Sequence, residues 1–410
     1  MIAINQIEKK YGIEIALVLL CCRVHFKTEP SQILQQFIDE KNIDWPYVQT
    51  LASYHRIEPL VFKMLSTARI PETIHLQLKK KQHLLIQQSF RNALETERII
   101  FLLKQHKIDC LPYKGVAFSK QFYGDIISRE SSDIDLVISP NDFEQVISLM
   151  CADEYNFESR VEYEYLKNKF KNYTKEINFN KFEKDQRIFH IEFHWKISDN
   201  RIKLKKAANE ILYKKGQPII LAREKVDALD VNGHYVAVFV HHSMNDGFCV
   251  LRNLVDLGQI TTIKSDELKI EFITETLAKL NLTQSTRICS FLSNKLLGIQ
   301  LPIINDSLIP IKGKLARHFI NQLLYKKMIG YHFKIRPINK SILYLKENTS
   351  EKLKYLMGCV ELRFTPSPKD IRTFNLPRGL YFLYAILKPI RSLFNRVNAD
   401  EAKQIAKGQK

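Results

Sequence analysis

The stretch Asp133-Ile134-Asp135-Leu136-Val137-Ile138, followed by Ser139-Pro140-Asn141-Asp142, decides how this chain is read. Alternation over 133–138 predicts a strand with Asp133 and Asp135 on one face and Ile134, Leu136 and Ile138 on the other. The next four residues predict a helix start, with Ser139 as cap, Pro140 at the first helical position and Asp142 in the first turn. That helix is expected to run to about Cys151. A strand with acids on one face and an apolar set on the other needs a sheet around it, and its neighbours are sought on both sides.

Upstream, residues 108–113 are short and apolar and end at Lys114-Gly115, which predicts a strand turning into a helix over 116–123 that Gly124 stops. Downstream, residues 174–180 and 188–195 predict a hairpin around Lys184-Asp185-Gln186. On its second strand Ile191, Phe193 and Trp195 face one way, and His190, Glu192 and His194 face the other. Outside this region the pattern is helical. Ile86, Phe90, Ala93, Leu94, Ile100 and Phe101 fall near helical spacing, and residues 234–243, 251–262 and 266–297 read as further helices. Residues 15–22 form an apolar run too short to span a bilayer, so a buried helix is expected. Residues 311–331 are basic and amphipathic, Pro366, Pro368 and Pro377 make a rigid connector, residues 381–394 predict a last apolar helix, and a polar tail follows Asn398. The predicted class is helix-rich α+β: a small mixed sheet flanked by helical subdomains. The expected divisions are 1–107 (helical), 108–205 (the core carrying the acids), 206–300 (helices over the site) and 301–410 (basic and helical).

Composition bounds the chemistry. The chain has 410 residues, 45% of them hydrophobic, with 13 Gly and 14 Pro, which fits packed helical cores and excludes a disordered chain. With 62 Lys plus Arg against 44 Asp plus Glu the formal charge is +18, so polyanions are favoured partners: nucleotide, nucleic acid or an anionic membrane face. The 7 cysteines have no CxxC spacing, which predicts reduced thiols and a cytoplasmic location without a zinc framework. A signal peptide is not expected, since Glu8 and Glu14 interrupt the N-terminus. Peripheral membrane attachment through the basic C-terminal helix stays open.

Paired acids on a strand gain meaning from what surrounds them. Phosphoryl transfer from a nucleoside triphosphate needs charge neutralisation more than covalent chemistry, and two divalent ions about 3.5–4 Å apart hold the attacking and leaving oxygens. Mg²⁺ takes hard oxygen ligands. At an effective dielectric of about 20, two carboxylates roughly 4 Å apart repel by about 4 kcal/mol, so a cluster of Asp133, Asp135 and Glu192 makes sense around cations. Lys114-Gly115 at a helix start suits a phosphate. Arg129, four residues before Asp133, is expected to reach a phosphate or the carboxylates.

The set Leu111-Pro112-Tyr113-Lys114-Gly115, Tyr123 with Arg129, Asp133-Ile134-Asp135-Leu136-Val137 and Glu192-Phe193-His194-Trp195 resembles the bacterial nucleotidyltransferase family 5, within the DNA polymerase β-type superfamily. Leu251-Arg252-Asn253-Leu254-Val255-Asp256 and the connector with Pro366, Pro368 and Asp370 extend the likeness over roughly residues 30 to 395. The resemblance implies a Mg²⁺-dependent (or Mn²⁺-dependent) transfer of a nucleoside monophosphate from a triphosphate such as ATP to an acceptor of open identity: a small molecule, sugar, peptide, protein or RNA. It implies Asp133, Asp135 and Glu192 as metal ligands and Lys114, Gly115 and Arg129 as the nucleotide-binding set. One departure stands out. The wider superfamily has Gly-Ser at the helix start, whereas Gly115 here is followed by Val116, which cannot donate to a phosphate. This motivates the alternative of a degenerate nucleotide- or RNA-binding protein of the same fold.

Other features have competing readings. His190, Glu192 and His194 on one strand face allow a zinc site, but also a role for His194 in orienting Glu192. His241-His242 before Asp246 read as core alternating with surface, or as a wall over the nucleotide with His242 near the base or phosphates. Arg252 and Asp256, at i and i+4, are expected to pair with each other. Tyr155, Tyr163, Tyr165 and Tyr173 among Lys167, Lys169 and Lys171 suggest tyrosines packed on the sheet, or a nucleic-acid clamp.

Overall fold

The structure, a computed structural model, describes residues 1–158, 160–166, 170–302, 311, 313–325, 338–374 and 376–391. The tail after Asn398 and the flanks of the basic stretch at 311–331 lie outside them, as do Lys167 and Lys169.

Five strands form one mixed sheet: β1 (Cys110–Pro112), β2 (Ile134–Ile138), β3 (Asn156–Phe157), β4 (Glu176–Glu183) and β5 (Gln186–His194). Their order is β1-β2-β5-β4-β3, with β2 and β5 parallel and the other neighbours antiparallel. The hairpin turn at Lys184 and Asp185 has φ of 46° and 63°, the left-handed pair that matches the twist of the flanking strands.

Side-chain alternation sorts the sheet into two faces. Ile134, Leu136, Ile138, Ile177, Phe179, Ile191 and Phe193 point into a core built with Phe143, Val146 and Met150 of the helix Phe143–Ala152 and with Ile99 and Leu103 of the long helix Glu72–Gln105. Tyr155 is buried in this core, Tyr163 packs edge-on against Phe143 and Phe170, and Tyr165 meets Tyr384. Tyr155 and Tyr163 thus pack on the core beneath the sheet, as one of the two readings expects, whereas Tyr165 packs on Tyr384.

The opposite face holds the acids. Above it, helices from both ends of the sheet segment share one large core, in which Leu17, Leu20, Val61, Val236, Phe239, Leu254 and Leu257 meet. The run Ile15 to Cys22 is wholly buried there. No helix among the described residues is long and apolar enough to cross a membrane.

Two local expectations shift. Asp133 sits in a bend just before β2 rather than inside the strand. The helix after β2 begins at Phe143, because Ser139 caps a turn instead: its Oγ accepts from the Asn141 N–H at 3.2 Å and its carbonyl from the Asp142 N–H at 3.0 Å. The helix Val231–Val240 continues through His241–Asn245 as a π-turn, a widening often found at functional sites.

Candidate active site

Parallel pairing places Asp135 of β2 opposite Glu192 of β5, and antiparallel pairing places Glu176 of β4 opposite His194. All four side chains therefore rise from one face. The His194 ring lies among the three acids. Its Nε2 is 3.0 Å from Asp135 Oδ1 and 3.3 Å from Glu192 Oε2, and its Nδ1 is 3.1 Å from Glu176 Oε2. Carboxylates only accept, so both ring nitrogens must donate and the ring is an imidazolium. Burial opposes that charge, but Glu176 and the hydrogen bonds to Asp135, Glu176 and Glu192 prevail and push its pKa up to about 9.

Lys114 supplies the second cation. Its Nζ is 3.1 Å from Asp135 Oδ1, and the neighbouring acids hold its pKa above the usual lysine value despite burial. Burial would raise Asp135 and Glu192. Lys114 and His194 hold Asp135 well below the carboxylate range, and hydrogen bonds from His190 and His194 do the same for Glu192. His190 is fixed in turn: Nε2 lies 3.3 Å from Glu192 Oε1 and Nδ1 2.7 Å from Asn180 Oδ1, whose amide nitrogen donates to Glu158. Asp133 behaves differently. Burial and the nearby Asp135 raise its pKa, the response of an acid facing negative charge that its surroundings do not offset.

Gly115 makes this arrangement possible. Its φ is 58°, and an added Cβ would lie 3.0 Å from the Asp133 carbonyl oxygen and 3.1 Å from Ser131 Oγ. Only glycine lets the start of the helix Gly115–Tyr123 press against the backbone beside Asp133. Val116 points away, into a small core with Ala93, Ile126 and Leu221.

The residues present suit a divalent cation. The donors are hard carboxylate oxygens: ligand atoms of Asp135 and Glu192 lie within 4.8 Å of one another, with the protonated His194 beside them and Asp133 outside this group. The His194 proton and the Lys114 ammonium occupy the positive side of this cluster, so an incoming cation competes with both.

Arg129, expected to reach a phosphate or the carboxylates, is paired with Asp256 in the structure. Its guanidinium is buried and grips Asp256, with Nε 2.9 Å from Oδ1 and Nη2 3.0 Å from Oδ2. Asp256 also accepts from Tyr123 Oη at 2.9 Å and faces His242 Nε2 at 3.0 Å. Four donors meet one fully buried acid, so Arg129 is committed to the fold. The expected Arg252–Asp256 pair is replaced by this one. His242 belongs to the same network and not to the carboxylate cluster: Asn253 donates to its Nδ1 at 2.8 Å and to Asp246 at 2.8 Å. With both ring nitrogens in use, His242 is poorly placed to complete a second ion site with His241 and Asp246.

Sequence reading missed Glu176. Its signal was present in the alternation of β4, where Glu176 and Asn178 oppose His194 and Glu192 while Ile177 and Phe179 face the core. His194, read as a zinc ligand or as a group that orients Glu192, touches three acids.

Comparisons with curated proteins and with solved structures find no match. A family described as uncharacterised nucleotidyltransferases matches residues 41–298, a span containing β1 to β5, the carboxylate cluster and the Arg129–Asp256 pair. By this match over more than half its length, the chain belongs to that nucleotidyltransferase family.

Proposed function

We propose that the chain transfers a nucleoside monophosphate from a triphosphate to an acceptor hydroxyl or other nucleophile, with Asp133, Asp135 and Glu192 holding divalent metal ions, Mg²⁺ by preference. The observation that carries this reading is the register of Asp135 with Glu192 on adjacent parallel strands, with Asp133 two residues before Asp135 and the Lys114-Gly115 helix start at their side. Bound metal would supply charge neutralisation at the attacking and leaving oxygens. The protein's own groups do the rest. Asp135 and Glu192, held ionised, present oxygens on one face. Lys114 stands next to Asp135, where it can pass from the carboxylate to the departing pyrophosphate. Glu176 and His194 keep the Glu192 and Asp135 side chains in fixed orientations, and His190 does so from the far side of Glu192.

A second reading draws on the same contacts. Lys114 and His194 already neutralise the acids from within, as would suit a protein that binds nucleotide or RNA without turnover. The two readings separate in one assay: labelled nucleoside triphosphates, Mg²⁺ or Mn²⁺ and cell extract. Label transfer abolished by Asp133→Ala supports transfer. Nucleotide binding with no pyrophosphate released sinks it in favour of binding.

A further inference from the structure

We propose that the outward face of the helix Thr349–Phe364, together with residues 382–390, seats this protein on an anionic lipid surface. The helix is held from within by Tyr355, Gly358 and Cys359, all buried. A Cβ added at Gly358 would lie 2.7 Å from the Arg201 carbonyl oxygen, so the helix backbone rests directly on that part of the chain. With roughly 3.6 residues per turn, the side opposite these three carries Leu353, Met357, Val360 and Phe364. They are 57%, 61%, 56% and 49% exposed. A surface helix ordinarily turns its polar side to water. This one turns out four large apolar side chains in a row about 17 Å long.

A second row adjoins the first. Residues 384–391 are helical, with Tyr384 turned inward and buried. Away from Tyr384, Phe382, Ile386 and Ile390 are 67%, 58% and 42% exposed. Lys388 Nζ brings this row to the end of the first, donating to the Leu362 carbonyl at 2.8 Å and to the Thr365 carbonyl. Arg391 Nε, 2.5 Å from Asp370 Oδ1, ties the same helix to the connector. Exposed apolar side chains grouped in this way mark a protein or membrane contact.

Charge decides between the two. Residues 349–391 hold 8 Lys plus Arg against 3 acids. Each acid is already paired: Glu351 with Lys354 at 2.8 Å, Glu361 with Lys203 at 2.5 Å and Asp370 with Arg391 at 2.5 Å. Lys352, Arg363 and Lys369 have no ion pair among the described residues. A second copy docked face to face would set these cations against their equivalents. An anionic headgroup layer attracts them, while the apolar rows enter the boundary between headgroups and acyl chains, roughly 5–10 Å deep. Long Lys and Arg stems keep the charged ends at headgroup level. With no spanning helix among the described residues, this attachment is peripheral.

The test floats the full chain with phosphatidylcholine vesicles, with and without phosphatidylserine. Wild type should bind the serine-containing vesicles, and about tenfold or more weaker without the anionic lipid. Met357→Gln/Val360→Gln should weaken anionic-vesicle binding by about tenfold or more. The substitutions are uncharged, so this loss separates apolar insertion from the general attraction of a basic protein. Phe382→Gln, on the other row, should weaken binding too, and it keeps the test valid if the double variant misfolds by circular dichroism. Arg363→Gln should cost about fivefold and lessen the fall of binding with salt. Wild type that binds neither vesicle, or binding unchanged in both the double variant and Phe382→Gln, would overturn the proposal. So would a wild-type dimer in light scattering that the double variant converts to monomer with vesicle binding unaltered, which would give the face to a second copy.

Discussion

Raising the pH should weaken the fold through His194, by an amount the geometry sets. The unfolded imidazole titrates near 6.5, and the buried ring among Asp135, Glu192 and Glu176 titrates at about 9. A folded pKa raised above the unfolded one stabilises fully below about pH 6.5, and that contribution disappears as pH rises through about 9. The difference corresponds to about 3 kcal/mol. Because His190, Lys114 and several buried tyrosines also titrate upward, the quantity to follow is wild type minus His194→Gln, in which their effects largely cancel. Urea denaturation followed by circular dichroism, with EDTA present, gives that difference at intervals between pH 6 and pH 10. It should be largest at pH 6 and shrink by about 3 kcal/mol toward pH 10. A difference that stays flat across this window, or an NMR titration placing His194 near 6.5, would refute the imidazolium and the clamped cluster with it.

Three further outcomes follow from individual contacts. Glu176→Gln removes the acceptor charge from His194 Nδ1, so the His194 pKa should fall, read by histidine-selective NMR. Arg129→Met leaves Asp256 buried without its bidentate guanidinium partner and should destabilise by about 3–5 kcal/mol in urea melts, with partial relief in Arg129→Met/Asp256→Leu. Gly115→Ala should cost about 1–2 kcal/mol from the left-handed backbone alone, and a crystal structure should show the helix start moved off the Asp133 carbonyl.

The carboxylate face was legible because strand alternation has a period of two, a local property of residues 133–138 and 188–195. Burial of Ile134, Leu136, Ile191 and Phe193 follows the same rule. What local pattern does not carry is which strands become neighbours. The parallel β2–β5 pairing brings Asp135 to Glu192 across 57 residues of chain, and the hairpin then delivers Glu176, which no spacing rule ties to the site. The expected Arg252–Asp256 pair does not form for the converse reason. The i,i+4 rule favours Arg252 for Asp256, but a buried bidentate contact from Arg129, 127 residues away, outweighs an exposed-helix pair worth about 0.2–0.5 kcal/mol. Val116 looked like a defect at a phosphate site, and its burial against Ala93 and Leu221 gives it a packing role instead.

The central claim is that Asp133, Asp135 and Glu192 hold a divalent cation that competes with Lys114 and the His194 proton. Mn²⁺ binding to the full chain, measured by electron paramagnetic resonance as free ion lost on titration, tests it most directly. The expected result is saturable binding that tightens as pH rises toward about 9, where His194 gives up its proton, and that is lost in Asp135→Asn. Mn²⁺ binding that survives Asp135→Asn unchanged, or no binding at any pH in that range, would contradict it.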